Sequence, residues 1–253
     1  MPNKKAIMFI DLDDTIFQTK RKNQNGIIAV TEHQNPNTVS YMTRAQEIFT
    51  DIFFSYPDLE IIPVTARNKE QYFRTSISKD KRVKNYVTCF GSDINNNQNI
   101  DEEWSLIVKE KYLAMTLKLN DLLENIMDIA DDNFNIHISD NNYIVIKNKS
   151  KDIDIYASQN DQLKASLAKI LNKEYFIHFN SNHLAIVPQF VNKRHAVEYL
   201  INKLSPELTI GAGDSISDYS FMSLCDYKII PSNSQIEKLL LHSEKINEIL
   251  GIF

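Results

Sequence analysis

Residues 6–10 (AIMFI) are apolar without a break, the pattern of a central strand covered on both faces of a parallel sheet. A polar stretch from Gln18 to Thr38 follows, interrupted by Gly26 and Pro36 and containing GIIAV, which reads as one arm of a hairpin or flap. In TRAQEIFTDIFF, Ala45, Ile48, Phe49, Ile52 and Phe53 recur at helical spacing, and LEIIPVTAR then reads as a second strand with a polar end. Strand, helix, strand is the repeating unit of an α/β sheet. The last quarter returns to this style. KRHAVEYLINKL places Ala196, Val197, Leu200, Ile201 and Leu204 on one helix face, LTIGAGDS is a strand ending in glycines and an acid, YKII is a short strand, and SQIEKLLLHSEKINEIL closes as a helix.

Residues 84–187 have a different rhythm. NYVTCFGSDI reads as a strand, and DEEWSLIVKEKYLAMTLKLNDLLENIMDIA as one long helical region or two helices. FNIHISDNNYIVIKNK and EYFIHFNSNHLAIV read as hairpins turning at DNN and NSN, with the helix QNDQLKASLAKIL between them. Hairpin, helix, hairpin predicts an antiparallel sheet with helices on one face. The expected fold is therefore α/β: a Rossmann-like parallel-sheet core, residues 1–83 and 188–253, with an α+β segment inserted at 84–187. No repeat at a solenoid period is present.

Composition narrows the function classes. The 253 residues carry 28 Lys and Arg against 33 Asp and Glu, a net charge of -5. That balance argues against a dedicated nucleic-acid binder, though a local positive pocket on an acidic protein still suits a small phosphorylated substrate. Two lysines precede the first apolar run, but Asp11 ends it too soon for a secretory signal, and no run reaches membrane-spanning length. Cys89 and Cys225 are far apart and fit no metal spacing, so free buried thiols in a reducing cytoplasm are expected. The expected particle is cytoplasmic, a monomer or weak homo-oligomer, with no nucleic-acid or membrane partner.

The chemistry gathers where strands end. IMFIDLDDTIF sets Asp11, Asp13 and Asp14 directly behind an apolar run. Charges at the mouth of a core repel one another and resist desolvation, so a cation or a chemical task is the natural reason for them. Three other places repeat the arrangement: VTAR leaves Thr65 and Arg67 past the second strand, FVNKRHA puts Lys193 at a helix start, and GAGDSISD puts Asp214 and Asp218 past another core strand. In an open parallel sheet such ends share one crevice. There is no P-loop and no serine nucleophile elbow, and the dinucleotide fingerprint fails because GAGDSI lacks the third glycine and has an acid where phosphate would be repelled.

DLDDT, VTAR, the lysine opening a helix and GDSISD, in that order from Asp11 to Asp218, resemble the four motifs of the haloacid dehalogenase superfamily of phosphotransferases. DLDDT satisfies its DxDx[TV] motif at Asp11, Asp13 and Thr15. The insert is similar to the α/β cap of sucrose-phosphate and trehalose-phosphate phosphatases. The resemblance implies Asp11 as nucleophile and Asp13 as general acid, then base. It implies Thr65 and Lys193 as phosphate-binding residues, and Asp11, Asp13, Asp214 and Asp218 around a metal, with Asp13 contributing its backbone carbonyl. Oxygen ligands of this kind fit Mg²⁺ better than Zn²⁺. Relatives often carry Lys-Gly where this chain has Lys193-Arg194, so the helix start gains a positive group. Arg67, Arg194, Asn180 and Asn182, together with His178 and His183, are candidates for substrate specificity.

The implied function is a Mg²⁺-dependent phosphomonoester hydrolase, acting through an aspartyl-phosphate on a small metabolite such as a sugar phosphate, with the cap supplying specificity. A phosphomutase of the same superfamily and a non-catalytic binding scaffold are the alternatives.

Overall fold

A computed structural model describes residues 5–32, 39–96, 99–150, 152–180 and 183–242. The chain opens with β1 (Ala6–Ile10), then the short strands β2 (Gln18–Thr19), β3 (Ile28–Ala29) and β4 (Ser40–Met42). Helix α1 (Arg44–Ser55), β5 (Leu59–Pro63) and α2 (Lys69–Phe73) follow, then β6 (Asn85–Thr88), β7 (Asp93–Asn96) and β8 (Asn99–Ile100). Next come α3 (Glu102–Ala114), α4 (Leu119–Ile129), β9 (Phe134–Ser139), β10 (Tyr143–Asn148), α5 (Ile153–Ile170), β11 (Tyr175–Asn180) and β12 (His183–Pro188). The last part contains α6 (Lys193–Leu204), β13 (Leu208–Ala212), α7 (Ile216–Met222), β14 (Tyr227–Ile229) and α8 (Gln235–Leu241).

Contacts divide the chain into two compact units, residues 1–104 with 192–253, and residues 105–191. In the first, a parallel sheet has the order β14-β13-β1-β5. Every residue from Ile7 to Ile10 is fully buried, as the unbroken apolar run requires. The registers Ile10–Ala212 and Ile10–Pro63 align the strand ends. The Asp11 N–H donates to the Ala212 carbonyl at 2.9 Å, and the Val64 N–H to the Ile10 carbonyl at 2.8 Å. Asp11, Thr65 and Asp214 therefore all begin at one edge of the sheet.

The polar stretch after β1 supplies β2 and, from GIIAV, β3, which flank β4 just beyond it in a small antiparallel sheet, β2-β4-β3; residues 33–38 of that stretch lie outside the described residues. Helix α1 is closed at its start by a capping box, in which the Thr43 hydroxyl takes the Gln46 N–H and the Gln46 side chain takes the Thr43 N–H. Its inner residues join the core around Met8, Ile10, Phe54 and Ile61. The closing helix is described as α8 only, and its expected continuation past residue 242 lies outside the described residues.

In the second unit the antiparallel sheet β11-β12-β10-β9 forms the two predicted hairpins, joined through β12 and β10. One face of this sheet carries Phe134, Ile144, Ile146, Leu184 and Ile186 against Leu122 and Ile126 of α4 and Leu163 and Leu167 of α5. The long helical region is two helices. Between them the Glu174 carboxylate accepts the Thr116 and Leu117 N–H groups at 3.0 and 3.2 Å, and Lys118 Nζ donates to the Leu113 and Met115 carbonyls at 2.7 and 2.6 Å. These side chains satisfy the backbone groups that the break exposes.

The unit boundaries differ from 83/84 and 187/188. Residues 85–96 and 99–100, expected to open the insert, build the sheet β6-β7-β8 within the first unit. A parallel bridge between Val64 and Val87, with the Thr65 N–H on the Val87 carbonyl at 3.0 Å, ties β6 to the end of β5. Trp104 is anchored there as well, its indole N–H meeting the Gly91 and Ser92 carbonyls at 3.1 and 3.0 Å.

Candidate active site

Asp11 is almost fully buried at the end of β1. One carboxylate oxygen accepts from Lys193 Nζ at 2.6 Å, the other from the Thr15 hydroxyl at 3.1 Å. Lys193 is the first residue of α6, whose N-cap Asn192 accepts the Arg194 N–H at 2.8 Å. Its ammonium also donates to Asp218 at 2.7 Å, so one buried cation bridges two buried carboxylates. The second Asp218 oxygen is held by the Ser215 N–H and hydroxyl at 3.1 and 2.6 Å, in the capping box that starts α7. Asp214, between β13 and α7, lies 3.4 Å from the Thr15 hydroxyl.

Asp11, Asp214 and Asp218 each bring a carboxylate oxygen within 4.8 Å of the others. The crowding shifts their titration. Burial first, then the charges of Asp218, Asp214 and Asp13, push the Asp11 carboxyl well above its ordinary value, with Lys193 pulling the other way. Burial, Asp218 and Asp14 push Asp214 up to about 7. Burial opposes ionisation of Asp218 too, but Lys193 and Ser215 hold its carboxyl below the usual range. Burial disfavours the Lys193 ammonium, yet Asp11 and Asp218 keep it above its ordinary value. Three oxygen-only carboxylates, two of them resisting ionisation among their neighbours, suit a hard divalent cation such as Mg²⁺.

Asp13 stands apart from that group. Both of its oxygens are gripped by the Arg67 guanidinium, at 2.6 Å from Nε and 2.7 Å from an Nη. Arg67, expected as a specificity residue, thus contacts the expected general acid itself. Thr65 is buried, and its hydroxyl oxygen accepts the Arg67 N–H at 3.1 Å, so its own proton is left to donate elsewhere. Arg194 turns away from the strand ends. Its guanidinium meets the Ser220 carbonyl and the Ser223 hydroxyl, each at 2.8 Å, at the end of α7. A helix C-terminus presents unpaired carbonyls that attract a cation, which explains the difference. Asn182 and the Asn180 side chain lie outside the described residues. His178 and His183 are on the antiparallel strands β11 and β12 of the second unit.

Beneath Thr65 and Lys193 lies a loop that the motifs did not indicate. Cys89, Phe90 and Gly91 have φ of 53°, 59° and 108°, three left-handed residues in a row. The Cys89 N–H donates to the Arg67 carbonyl at 2.8 Å and the Phe90 N–H to the Thr65 carbonyl at 3.2 Å. A Cβ on Gly91 would sit 2.6 Å from the Asn192 carbonyl oxygen and 3.0 Å from the Lys193 nitrogen. Only glycine lets this loop touch the start of α6. Gly91→Ala is expected to cost about 3 kcal/mol, from left-handed strain and overpacking against backbone. Urea unfolding reads that loss, and phosphate release should fall with it as Lys193 is displaced. Unchanged stability and rate would refute the close contact. The sequence did not mark this loop: NYVTCFGSDI reads as one strand, whereas the chain turns at Cys89–Gly91 between β6 and β7. The S-x-x-D spacing of Ser215 and Asp218 is the signal that could have found the cap holding Lys193's acceptor.

A family model described as sucrose-6F-phosphate phosphohydrolase matches residues 4–253. The chain belongs to this family. As a sucrose-6F-phosphate phosphohydrolase family member it is a phosphatase of the haloacid dehalogenase superfamily, of the kind that acts on sugar phosphates. No curated protein matches the chain in sequence. Among solved structures, the sucrose-phosphatase from Synechocystis sp. PCC6803, in complex with sucrose and phosphate, aligns with a TM-score of 0.57 at 17% identity, covering 96% of this chain and 88% of that one. The C-terminal domain of C. albicans trehalose-6-phosphate phosphatase aligns at 0.54 and 15% identity, covering 87% and 73%. Thermoplasma acidophilum 0175 aligns at 0.56 and 12% identity, covering 97% and 89%. At these identities the structures speak for a shared fold. Among the described residues no helix is long and apolar enough to cross a membrane.

Proposed function

We propose that the chain hydrolyses a sugar phosphomonoester in two steps, with Asp11 as nucleophile and Asp13 as proton carrier. An Asp11 oxygen forms a bond to phosphorus as the bond to the sugar oxygen breaks, and Asp13 delivers its proton to that oxygen. Water then returns a proton to Asp13, attacks phosphorus and frees phosphate and the Asp11 carboxylate. Lys193 and Thr65 hold the phosphoryl oxygens, the first as a charge with three donors, the second through its spare hydroxyl proton. Mg²⁺ would be held by Asp11, Asp214 and Asp218, with the Asp13 carbonyl, and would supply positive charge against the anionic ester. The choice of sugar is assigned to the second unit, and the setting to the cytoplasm, where two buried cysteine thiols are at home.

The observation that supports this reading best is the buried bridge from Lys193 to Asp11 and Asp218, beside Asp214 and at the same sheet edge as Thr65. The test is phosphate release from sucrose 6-phosphate, trehalose 6-phosphate and glucose 6-phosphate, with Mg²⁺ and with a chelator. Release is expected with Mg²⁺ and absent with chelator. No release from any ester by a folded, Mg²⁺-supplied protein would overturn the reading.

Metal removal also has a stability signature. Asp214 has a folded value raised to about 7, so its carboxyl favours folding while protonated. That contribution is present below the ordinary carboxylate value and is lost as pH rises toward 7. The melting temperature of the chelated protein is therefore expected to fall across this interval, and Mg²⁺ to restore it at pH 7. A flat profile would show that the carboxylates do not crowd one another.

A further inference from the structure

Arg67 is built into the first unit from several directions. Its carbonyl accepts the Cys89 N–H at 2.8 Å, and its own N–H donates to the Thr65 hydroxyl at 3.1 Å. One guanidinium nitrogen donates to the Gln71 carbonyl in α2 at 3.2 Å, and the guanidinium carbon lies 5.2 Å from the centre of the Phe17 ring. The remaining fork closes on Asp13 at 2.6 and 2.7 Å. In this pair the Arg67 side chain is 16% exposed and that of Asp13 is 43% exposed. The anchored partner is the arginine, and the carboxylate is the group being aimed. Two parallel N–H···O bonds fix the plane of a carboxylate, which a single contact cannot do.

We propose that Arg67 is a positioning residue for proton transfer: it fixes the Asp13 carboxyl plane, keeping its bond to one oxygen while the other carries the proton to the leaving-group oxygen, and, through its backbone N–H, it leaves the Thr65 proton for the phosphoryl group. The proposal rests on the reading of Asp13 as general acid. It assigns Arg67 to the chemical step and takes it off the list of residues that recognise the sugar. A lysine cannot replace it, because an ammonium makes no planar fork.

The leaving group provides the test. Protonation matters for an ester whose alcohol is a poor leaving group, and little for 4-nitrophenyl phosphate. Steady-state kcat and KM would be measured on phenyl phosphate and 4-nitrophenyl phosphate for the wild type, Arg67→Lys, Arg67→Gln and Asp13→Asn, with Mg²⁺ present. Thermal melting would confirm that each variant is folded. Both Arg67 variants are expected to lose kcat/KM on phenyl phosphate by about 10²-fold more than on 4-nitrophenyl phosphate, the scale of general acid catalysis. Arg67→Lys is expected to give no rescue. If Asp13→Asn shows this selectivity while both Arg67 variants lose equally on the two esters, or only raise KM, the positioning role is overturned and the acid assignment stands. If Asp13→Asn shows no selectivity, the acid assignment fails and the proposal falls with it.

Discussion

Asp11→Asn is expected to lower phosphate release by roughly 10⁴-fold or more, the scale seen when a nucleophile is removed from an otherwise intact site. The amide occupies the same space and can keep its neighbours. Lys193 Nζ, now 2.6 Å from one Asp11 oxygen, can still donate to the amide oxygen. Thr15, now donating at 3.1 Å, can accept from the amide nitrogen and turn its proton to Asp214, 3.4 Å away. What the amide cannot do is form an acyl phosphate. The same substitution should raise the melting temperature of the metal-free protein at pH 7. Burial and the three neighbouring carboxylates hold the Asp11 carboxyl well above its ordinary value, so folding disfavours the charge that Asn removes. Relief of each kcal/mol corresponds to about 2–4 °C for a protein of this size. A variant that releases phosphate at the wild-type rate would remove Asp11 as nucleophile. One that melts lower would mean that the Lys193 bridge outweighs the crowding.

Much of this site is visible in the chain because it depends on short-range grammar. A strand of unbroken apolar residues must end, and the register Ile10–Ala212 makes two such strands end level. Acids directly after both strands therefore meet in space, although about two hundred residues separate Asp11 from Asp214. The resemblance in motif order carried Lys193 into the same cluster, which residue spacing alone does not. The second unit's hairpins were equally legible from alternation around DNN, as the Tyr143–Ser139 pairing shows. Three things were not legible. Arg67 and Arg194 are both cations near motifs, and only coordinates show that one forks on Asp13 while the other satisfies the end of α7. The strand Asn85–Thr88 reads like any short strand; its membership in the first unit comes from the bridge to Val64, a nonlocal contact without a sequence signature. The left-handed Cys89 and Phe90 break the expectation that such backbone belongs to glycine or asparagine. The cost of that conformation falls where the loop supports Thr65 and Arg67, a setting in which strain commonly accompanies function.

Lys193→Met is expected to destabilise the protein by about 3–5 kcal/mol, the cost of leaving buried charge without its partner. The methionine fills much the same volume, so packing along α6 changes little. The charge balance changes completely. Asp11 and Asp218 are both buried and share this one ammonium, at 2.6 and 2.7 Å. Without it, Asp218 keeps only the Ser215 contacts, and the larger of the influences that hold its carboxyl low is gone. One of the two acids must take up a proton or draw in water, and either costs folding free energy at pH 7. Phosphate release should also be lost, because Lys193 is the charge assigned to the phosphoryl oxygens. A second substitution separates the two losses. Lys193→Met with Asp218→Asn removes one stranded charge and is expected to recover part of the stability, read by urea unfolding, while activity stays absent. Recovery of both would make Lys193 a structural neutraliser of Asp218 and take it out of phosphate binding. Recovery of neither would mean that the stranded charge is that of Asp11. Full stability in the single variant would contradict a buried bridge altogether.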